Sequence, residues 1–248
     1  MRINIELAGI PIELVSKYRD YLPLYSAWRT DAPPLAAARA DAHELELARK
    51  LYTPDSTEPY LEHMVLCAAV SDALIPHGRV LFHGVAFRLD GKAWIVTAPS
   101  GVGKTTLYLN LKLLYGKEVE IINGDKPILC FGGAECGTSC PVIVYPSPWN
   151  GKECMGQGIS APLGGIILLT RGAGVMRRVA GSDAAEEIFR RFVFTPESAE
   201  RVAAVAALET RLIGSGTAIW RLESGGDSAT AKLCRETIEK YGKDASAE

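Results

Sequence analysis

The residues best equipped for chemistry lie between Ala93 and Thr106, which read A-W-I-V-T-A-P-S-G-V-G-K-T-T. Ala93, Trp94, Ile95 and Val96 have the character of a short buried strand, and Ala98 to Gly103 form a turn whose backbone N–H groups can converge on an anion. Ser100, Gly101, Val102 and Gly103 are the expected phosphate-cradling positions. Lys104 adds a positive charge, Thr105 offers a hydroxyl to a magnesium ion, and the helix from Thr106 presents the positive end of its dipole to the same phosphates. The pattern is G-x-x-x-x-G-K-[ST], with Ala98 at the first glycine and Gly101 and Gly103 intact. A ligand-free strand-to-helix turn with a surface lysine is the plain alternative. The strand on one side and the helix on the other favour a nucleotide.

A second group of candidates lies around this loop. Val119 to Ile122 reads as a strand ending in Asn123-Gly124-Asp125-Lys126. An acid at the end of an apolar strand beyond such a loop is where a magnesium-ordering carboxylate is expected, which makes Asp125 the candidate and a turn residue its alternative. His83 sits on the strand that leads toward the loop by way of the turn dipeptide Asp90-Gly91, so it falls near the nucleotide unless it is merely packed in that strand. The rigid, polar segment Pro146-Ser147-Pro148-Trp149-Asn150-Gly151-Lys152-Glu153 is of a kind that handles substrates. Lys152, Arg171 and Lys126 are candidates for the further cation that phosphoryl transfer needs; an exposed structural charge is the alternative for each, and the stronger one for Arg171 and Lys126. Trp149 is a substrate platform or a core anchor. His43, His63 and His77 have no metal-ligand spacing. Of the six cysteines, only Cys136 and Cys140 are tightly spaced. With Cys130 and Cys154 nearby they match no pair of C-x-x-C knuckles, so free thiols are the expectation.

The elements that must position these groups follow from patterning. Residues 2–16 alternate as a hairpin around Gly9, residues 17–34 are irregular and aromatic, and residues 35–52 carry both helical and strand signals. Glu58 to Leu74 reads as an amphipathic helix. A hairpin of Val80 to Arg88 and Lys92 to Thr97 feeds the glycine loop, and Thr105 to Tyr115 is the helix after it. Strands are expected at Ile128 to Phe131, Pro141 to Tyr145, Gly165 to Leu169, Val175 to Val179 and Thr217 to Leu222. Helices are expected at Ala184 to Phe194, Pro196 to Leu212 and Asp227 to Tyr241. The result is an α/β (α+β) chain with mixed sheets flanked by helices. Residues 1–76 pack as a strand and helix region on a core of residues 77–242, and 243–248 form a disordered tail.

With 248 residues, 48% of them hydrophobic, the chain can bury a sizeable core. A net charge of −2 and no basic run interleaved with aromatics exclude a dedicated nucleic-acid binder. The opening residues lack a signal-peptide pattern and no apolar run reaches the length of a membrane span, so a cytoplasmic location without membrane association is expected.

In these motifs the chain resembles the kinase domain of HPr kinase/phosphorylase and, more distantly, the nucleotide-binding core of ATP-dependent phosphoenolpyruvate carboxykinase. The resemblance rests on H-G-V-A-F-R-L-D-G-K-A-W-I-V-T-A-P-S-G-V-G-K-T-T-L from His83 to Leu107, I-I-N-G-D-K from Ile121 to Lys126 and A-P-L-G-G-I-I-L-L from Ala161 to Leu169. It covers about two-thirds of the chain. The loop from Pro146 to Glu153 is also similar to one in small HPr-kinase-like proteins of peptide natural-product pathways, where the implied job is phosphorylating a precursor peptide.

The resemblance implies a P-loop core of that family, ATP and Mg2+ as cofactors, and self-association. It places His83 beside the transferring phosphate and makes Lys104 and Thr105 the P-loop pair. Asp125 then matches the second member of the family's Asp-Asp pair. Gly124 stands where the first member, the proposed base, should be. The proton would then go to Asp125, to His83, or to Glu153 from the later loop. The family's Pro-Gly-Arg-Asn segment is not visible after Pro162. The expectation is an ATP-dependent kinase that phosphorylates a Ser/Thr hydroxyl of a peptide or protein. The alternatives are a small-molecule kinase or carboxykinase-like enzyme on the same core, and a catalytically inactive nucleotide-binding regulatory module.

Overall fold

Residues 1–132, 140–152, 154–156 and 158–244 are described by the structure, a computed structural model. The chain opens with the expected hairpin of β1 (Arg2–Leu7) and β2 (Ile10–Val15), turned at Ala8-Gly9, both with positive φ. Its inward residues Ile5, Leu7, Ile12 and Leu14 are fully buried. The mixed signals of residues 35–52 resolve into two elements. β3 (Ala36–Arg39) joins β2 in parallel, and α1 (Ala42–Leu51) follows, its start fixed by a capping box of Asp41 and Glu44. α2 (Glu58–Leu74) has the expected bounds, with Thr57 as its N-cap, and lays Leu66, Val70 and Leu74 on the small sheet.

The expected hairpin arm from Val80 to Arg88 is broken. β4 (Arg79–Phe82) ends before His83-Gly84, and β5 (Val85–Leu89) begins after it. Gly84 explains the break, because a Cβ there would meet Ile95 Cγ2 at 2.7 Å and the Val96 carbonyl oxygen at 2.9 Å. The two halves join different neighbours. β4 lies between β8 (Ile128–Cys130) and the short β12 (Phe192–Val193), whereas β5 pairs with β6 (Lys92–Thr97) and β7 (Glu120–Asn123). β12 occupies the end of what sequence patterning reads as one helix to Phe194. That helix, α4 (Gly181–Phe189), stops earlier, and Phe192 packs edge-on to Phe82 at 5.3 Å.

β10 (Ala161–Arg171) splices the two halves into one mixed sheet. Ala161 and Pro162 pair antiparallel with β9 (Ile143–Tyr145) beside β8. From Leu163 onward β10 runs parallel to β6, and from Gly165 parallel to β13 (Ala218–Ser224), which carries β11 (Met176–Arg178) on its far edge. Both faces are covered, which is why β6 is an unbroken apolar run. Ala93 and Ile95 enter a core closed by α4 and α5 (Ala199–Gly214), and Trp94 and Val96 one closed by α3 (Lys104–Tyr115) and α6 (Ser228–Asp244).

Two expectations fall partly outside the described residues. Cys136 does, and Cys140 is disulfide-bonded, which corrects the reading of every cysteine as a free thiol. Cys67, Cys130, Cys154 and Cys234 are free. Of the expected tail, residues 245–248 lie outside the description, while α6 extends through Asp244. Among the described residues no helix is long and apolar enough to cross a membrane.

Candidate functional site

β6 delivers the glycine loop to the edge of a cleft. Thr97 Oγ1 donates to the His83 carbonyl at 2.7 Å, which ties the end of β6 to the break between β4 and β5. Ala98 is fully buried in the core under α3, so its methyl group fills space that a glycine would leave open. Gly101 (φ +77°) and Gly103 (φ +117°) occupy the left-handed region that side chains disfavour. Gly103 caps α3 with no side chain on the first-turn N–H groups, which leaves them free to hydrogen-bond an anion. Lys104 Nζ donates to the Ala98 carbonyl at 3.0 Å and to that of Pro99 at 3.4 Å, and Arg171 Nη2 donates to the Gly101 carbonyl at 3.1 Å. Burial, with Lys126 and Arg191 nearby, lowers the Lys104 pKa against the opposing pull of Asp125.

The acid turn is built by a residue that sequence reading passed over. Asn123, fully buried at the end of β7, accepts on Oδ1 from the backbone N–H groups of Asp125 (2.9 Å) and Lys126 (2.6 Å). Its Nδ2 donates to the Ser147 carbonyl at 3.0 Å, and Ser147 Oγ donates to the Lys126 carbonyl at 2.5 Å. The Gly84 N–H donates to the Asp125 carbonyl at 2.9 Å, so the turn and the break between β4 and β5 are joined directly. An asparagine two residues before the acid, able to close an Asx turn, was the available signal.

This scaffold sets the Asp125 carboxylate between two partners, with His83 Nε2 3.3 Å from Oδ1 and Lys126 Nζ 2.9 Å from Oδ2. Burial pushes the Asp125 pKa up, but the His83 hydrogen bond and the Lys126 charge outweigh it and hold the carboxyl at about 2. For His83 the Asp125 bond pulls upward, while burial together with Lys126 and Lys104 brings the pKa below its ordinary 6.5. His83 Nε2 faces Asp125 Oδ1, and a neutral ring carrying its proton on Nε2 would leave Nδ1 as the proton acceptor.

All of these groups open on one cleft of about 950 Å³, which also takes in Ser100, Thr105, Thr106 and Lys152. Val102 is turned away, its side chain against the core under α3. Arg171 holds the loop from outside the cleft lining, and Glu153 lies outside the described residues. Trp149 is anchored, being 3% exposed with its Nε1 donating to the His63 carbonyl at 3.0 Å, and it also lines the cleft. Gly124 is backed by the loop that follows. A Cβ there would lie 2.4 Å from the Asn150 carbonyl oxygen, and its N–H donates to the Met155 carbonyl at 2.8 Å. Among the described residues no group of three or more His, Cys, Asp or Glu side chains could hold a metal ion on its own. Thr105 and Asp125 would therefore share an ion with phosphate and water ligands.

No protein-family model matches the chain, and no curated protein matches it either.

Proposed function

We propose that the chain is an ATP-dependent kinase on an HPr-kinase-type core, transferring the γ-phosphoryl group to a Ser/Thr hydroxyl of a peptide or protein. The observation that carries this reading is the convergence of Lys104, Thr105 and the His83–Asp125–Lys126 cluster on a single cleft. The N–H groups from Ser100 to Gly103 and of the first turn of α3 receive the phosphates, and Lys104 exchanges its two carbonyl partners for them. Thr105 and Asp125 would hold Mg2+, which when bound neutralises phosphate charge. At a pKa of about 2, Asp125 is a weak proton acceptor but a strong orienting anion. It fixes the ring of His83, whose Nδ1 takes the proton of the attacking hydroxyl. Lys126 and Lys152 add positive charge where the transferring group passes.

The test is incubation with labelled ATP, Mg2+ and a panel of serine peptides. Label should reach a peptide, and Lys104→Ala and Asp125→Asn should abolish the transfer. If nucleotide binds but neither peptide nor water is ever phosphorylated, the kinase reading fails and a nucleotide-binding module remains.

A further inference from the structure

The cleft does not end at the acid turn. Beyond Asp125 its wall comes from the first 76 residues, through Tyr21, Leu24, Tyr52, Tyr60 and Met64. A volume of about 950 Å³ is at the upper end of what a single small ligand takes, roughly 300–1,000 Å³. Its lining runs from the glycine loop to this wall, so a nucleotide on the loop and a second reactant against the rings would share one cleft. From these observations we infer that the Tyr52–Tyr60–Tyr21 wall is the acceptor subsite, seating an aromatic or large apolar side chain next to the hydroxyl that is phosphorylated. The inference rests on the kinase reading of the neighbouring cluster.

The wall is a continuous set of rings. Tyr52 meets Tyr60 edge-on at 5.8 Å, Tyr60 lies 6.4 Å from Tyr21, and Tyr21 stacks on His63 at 4.4 Å. It is also held rigid from behind. The Tyr25 hydroxyl bonds His63 Nδ1 at 2.8 Å, and Arg49 clamps Glu58 through Nε at 2.7 Å and Nη2 at 2.8 Å, which braces the turn between Tyr52 and Tyr60. Rigid tyrosines offer large amphipathic contact area at low entropy cost, which suits them to recognising a side chain.

Asp125 lines the same cleft as the glycine loop and the tyrosine wall, and its charge also reaches Lys104 and the Tyr52 phenol, whose pKa burial and Tyr60 raise first. A hydroxyl at His83 therefore belongs to a molecule whose remainder lies along the rings. Asp20 is the one charged side chain among the residues that line this half. A small polar metabolite would find few partners for its own charges there, and a peptide with an apolar neighbour to its serine finds a matching surface.

The experiment uses the full chain, saturating ADP with Mg2+, and two fluorescein-labelled probes, Gly-Phe-Ser-Phe-Gly and Gly-Gly-Ser-Gly-Gly. Peptide binding is read by anisotropy and ADP binding by calorimetry. The Phe probe should bind about tenfold tighter than the Gly probe, and Tyr52→Ala should remove that preference. Leu24→Glu, on the same wall from another segment, should do the same, and Tyr60→Phe should keep it. ADP affinity should stay within about twofold throughout. Equal binding of the two probes overturns the proposal. So does a Tyr52→Ala protein that loses ADP affinity and keeps its peptide preference, which would make the rings a base subsite. Because peptide binding is read without phosphoryl transfer, a failed kinase reading shows separately, as selective binding with no labelled product.

Discussion

Placing an acid at Gly124 is the obvious way to ask whether the chain can use the base that its resemblance leads one to expect. The structure predicts that it fails. A Cβ at this position lies 2.4 Å from the Asn150 carbonyl oxygen, so the backbone must open by about 0.6 Å to reach even 3.0 Å. It also lies 3.1 Å from the Met155 carbonyl oxygen and 3.3 Å from Met155 Cβ, so the shift must be made in a crowded space. Overpacking of this kind costs about 1–3 kcal/mol, and pulling the loop away breaks the Gly124 N–H bond to Met155, worth about 1 kcal/mol more. Gly124→Ala should therefore destabilise the protein by about 2–4 kcal/mol, and Gly124→Asp by more, since it adds a buried carboxylate beside Asp125. Gly158→Ala, where a Cβ meets nothing within 4 Å, is the control and should stay within about 0.5 kcal/mol of the parent. Urea unfolding followed by circular dichroism gives the stabilities, and transfer from labelled ATP gives turnover. A Gly124→Asp protein with the parental unfolding midpoint and equal or higher turnover would refute the argument that the loop from Asn150 to Met155 has closed this position.

Removing the Asx-turn acceptor with Asn123→Ala should cost about 2–3 kcal/mol of stability by the same unfolding assay, because it empties a fully buried site and leaves the half-buried Asp125 N–H without its partner. Misplacing Asp125 by about 1 Å should lower phosphoryl transfer by up to about 100-fold, with ADP affinity little changed. A third test concerns His63, which burial depresses to about 4 from an ordinary 6.5, so the unfolded chain binds the proton first. Stability from this ring is fully present above pH 6.5 and is lost as pH falls toward 4, by about 2 kcal/mol at pH 5. His63→Asn, which keeps an acceptor for the Tyr25 hydroxyl, should flatten the unfolding free energy between pH 7 and pH 5 by that amount. An unchanged slope would show that the ring takes up its proton as readily in the folded protein as in the unfolded chain.

The parts of this molecule that were legible in its sequence are those whose determinants are local. The glycine loop, the helix from Glu58 to Leu74 and the opening hairpin each carry their own caps, turns and periodicity, and they fold as read. The break at His83-Gly84 was not legible, because the apolar runs Val80–Phe82 and Val85–Phe87 flank it on both sides and only the close approach of Ile95 and the Val96 carbonyl requires a glycine there. The short strand at Phe192–Val193 continues a helical pattern and is fixed instead by its partner β4. At the site, Lys104, Asp125 and His83 were identifiable by type and position. The role of Asn123 depends on Ser147, 24 residues away, and the tyrosine wall is assembled from three separate segments. Composition marks residues 17–34 as aromatic, but only the packing of α2 on the small sheet turns Tyr21 toward the cleft.

A pair of neighbouring carboxylates makes a base because like charges raise one of the two pKa values. This chain has a single carboxylate at the acid turn, with a histidine on one oxygen and a lysine on the other, and the shift runs the opposite way, down to about 2. On the kinase reading, proton acceptance then moves to the imidazole on the other side of that carboxylate, His83, whose pKa burial and the neighbouring lysines lower against the pull of Asp125. Its position is set by Thr97 through the His83 carbonyl and by Arg191, whose carbonyl accepts the His83 N–H at 2.7 Å. The groups around the transferring phosphate thus come from the break between β4 and β5 and from the end of β7. The space that a second acid would occupy is filled by the backbone loop that also brings Asn150 and Lys152 to the cleft. An acid at Gly124 and this loop compete for the same space, so a substitution at Gly124 alone cannot place a carboxylate there.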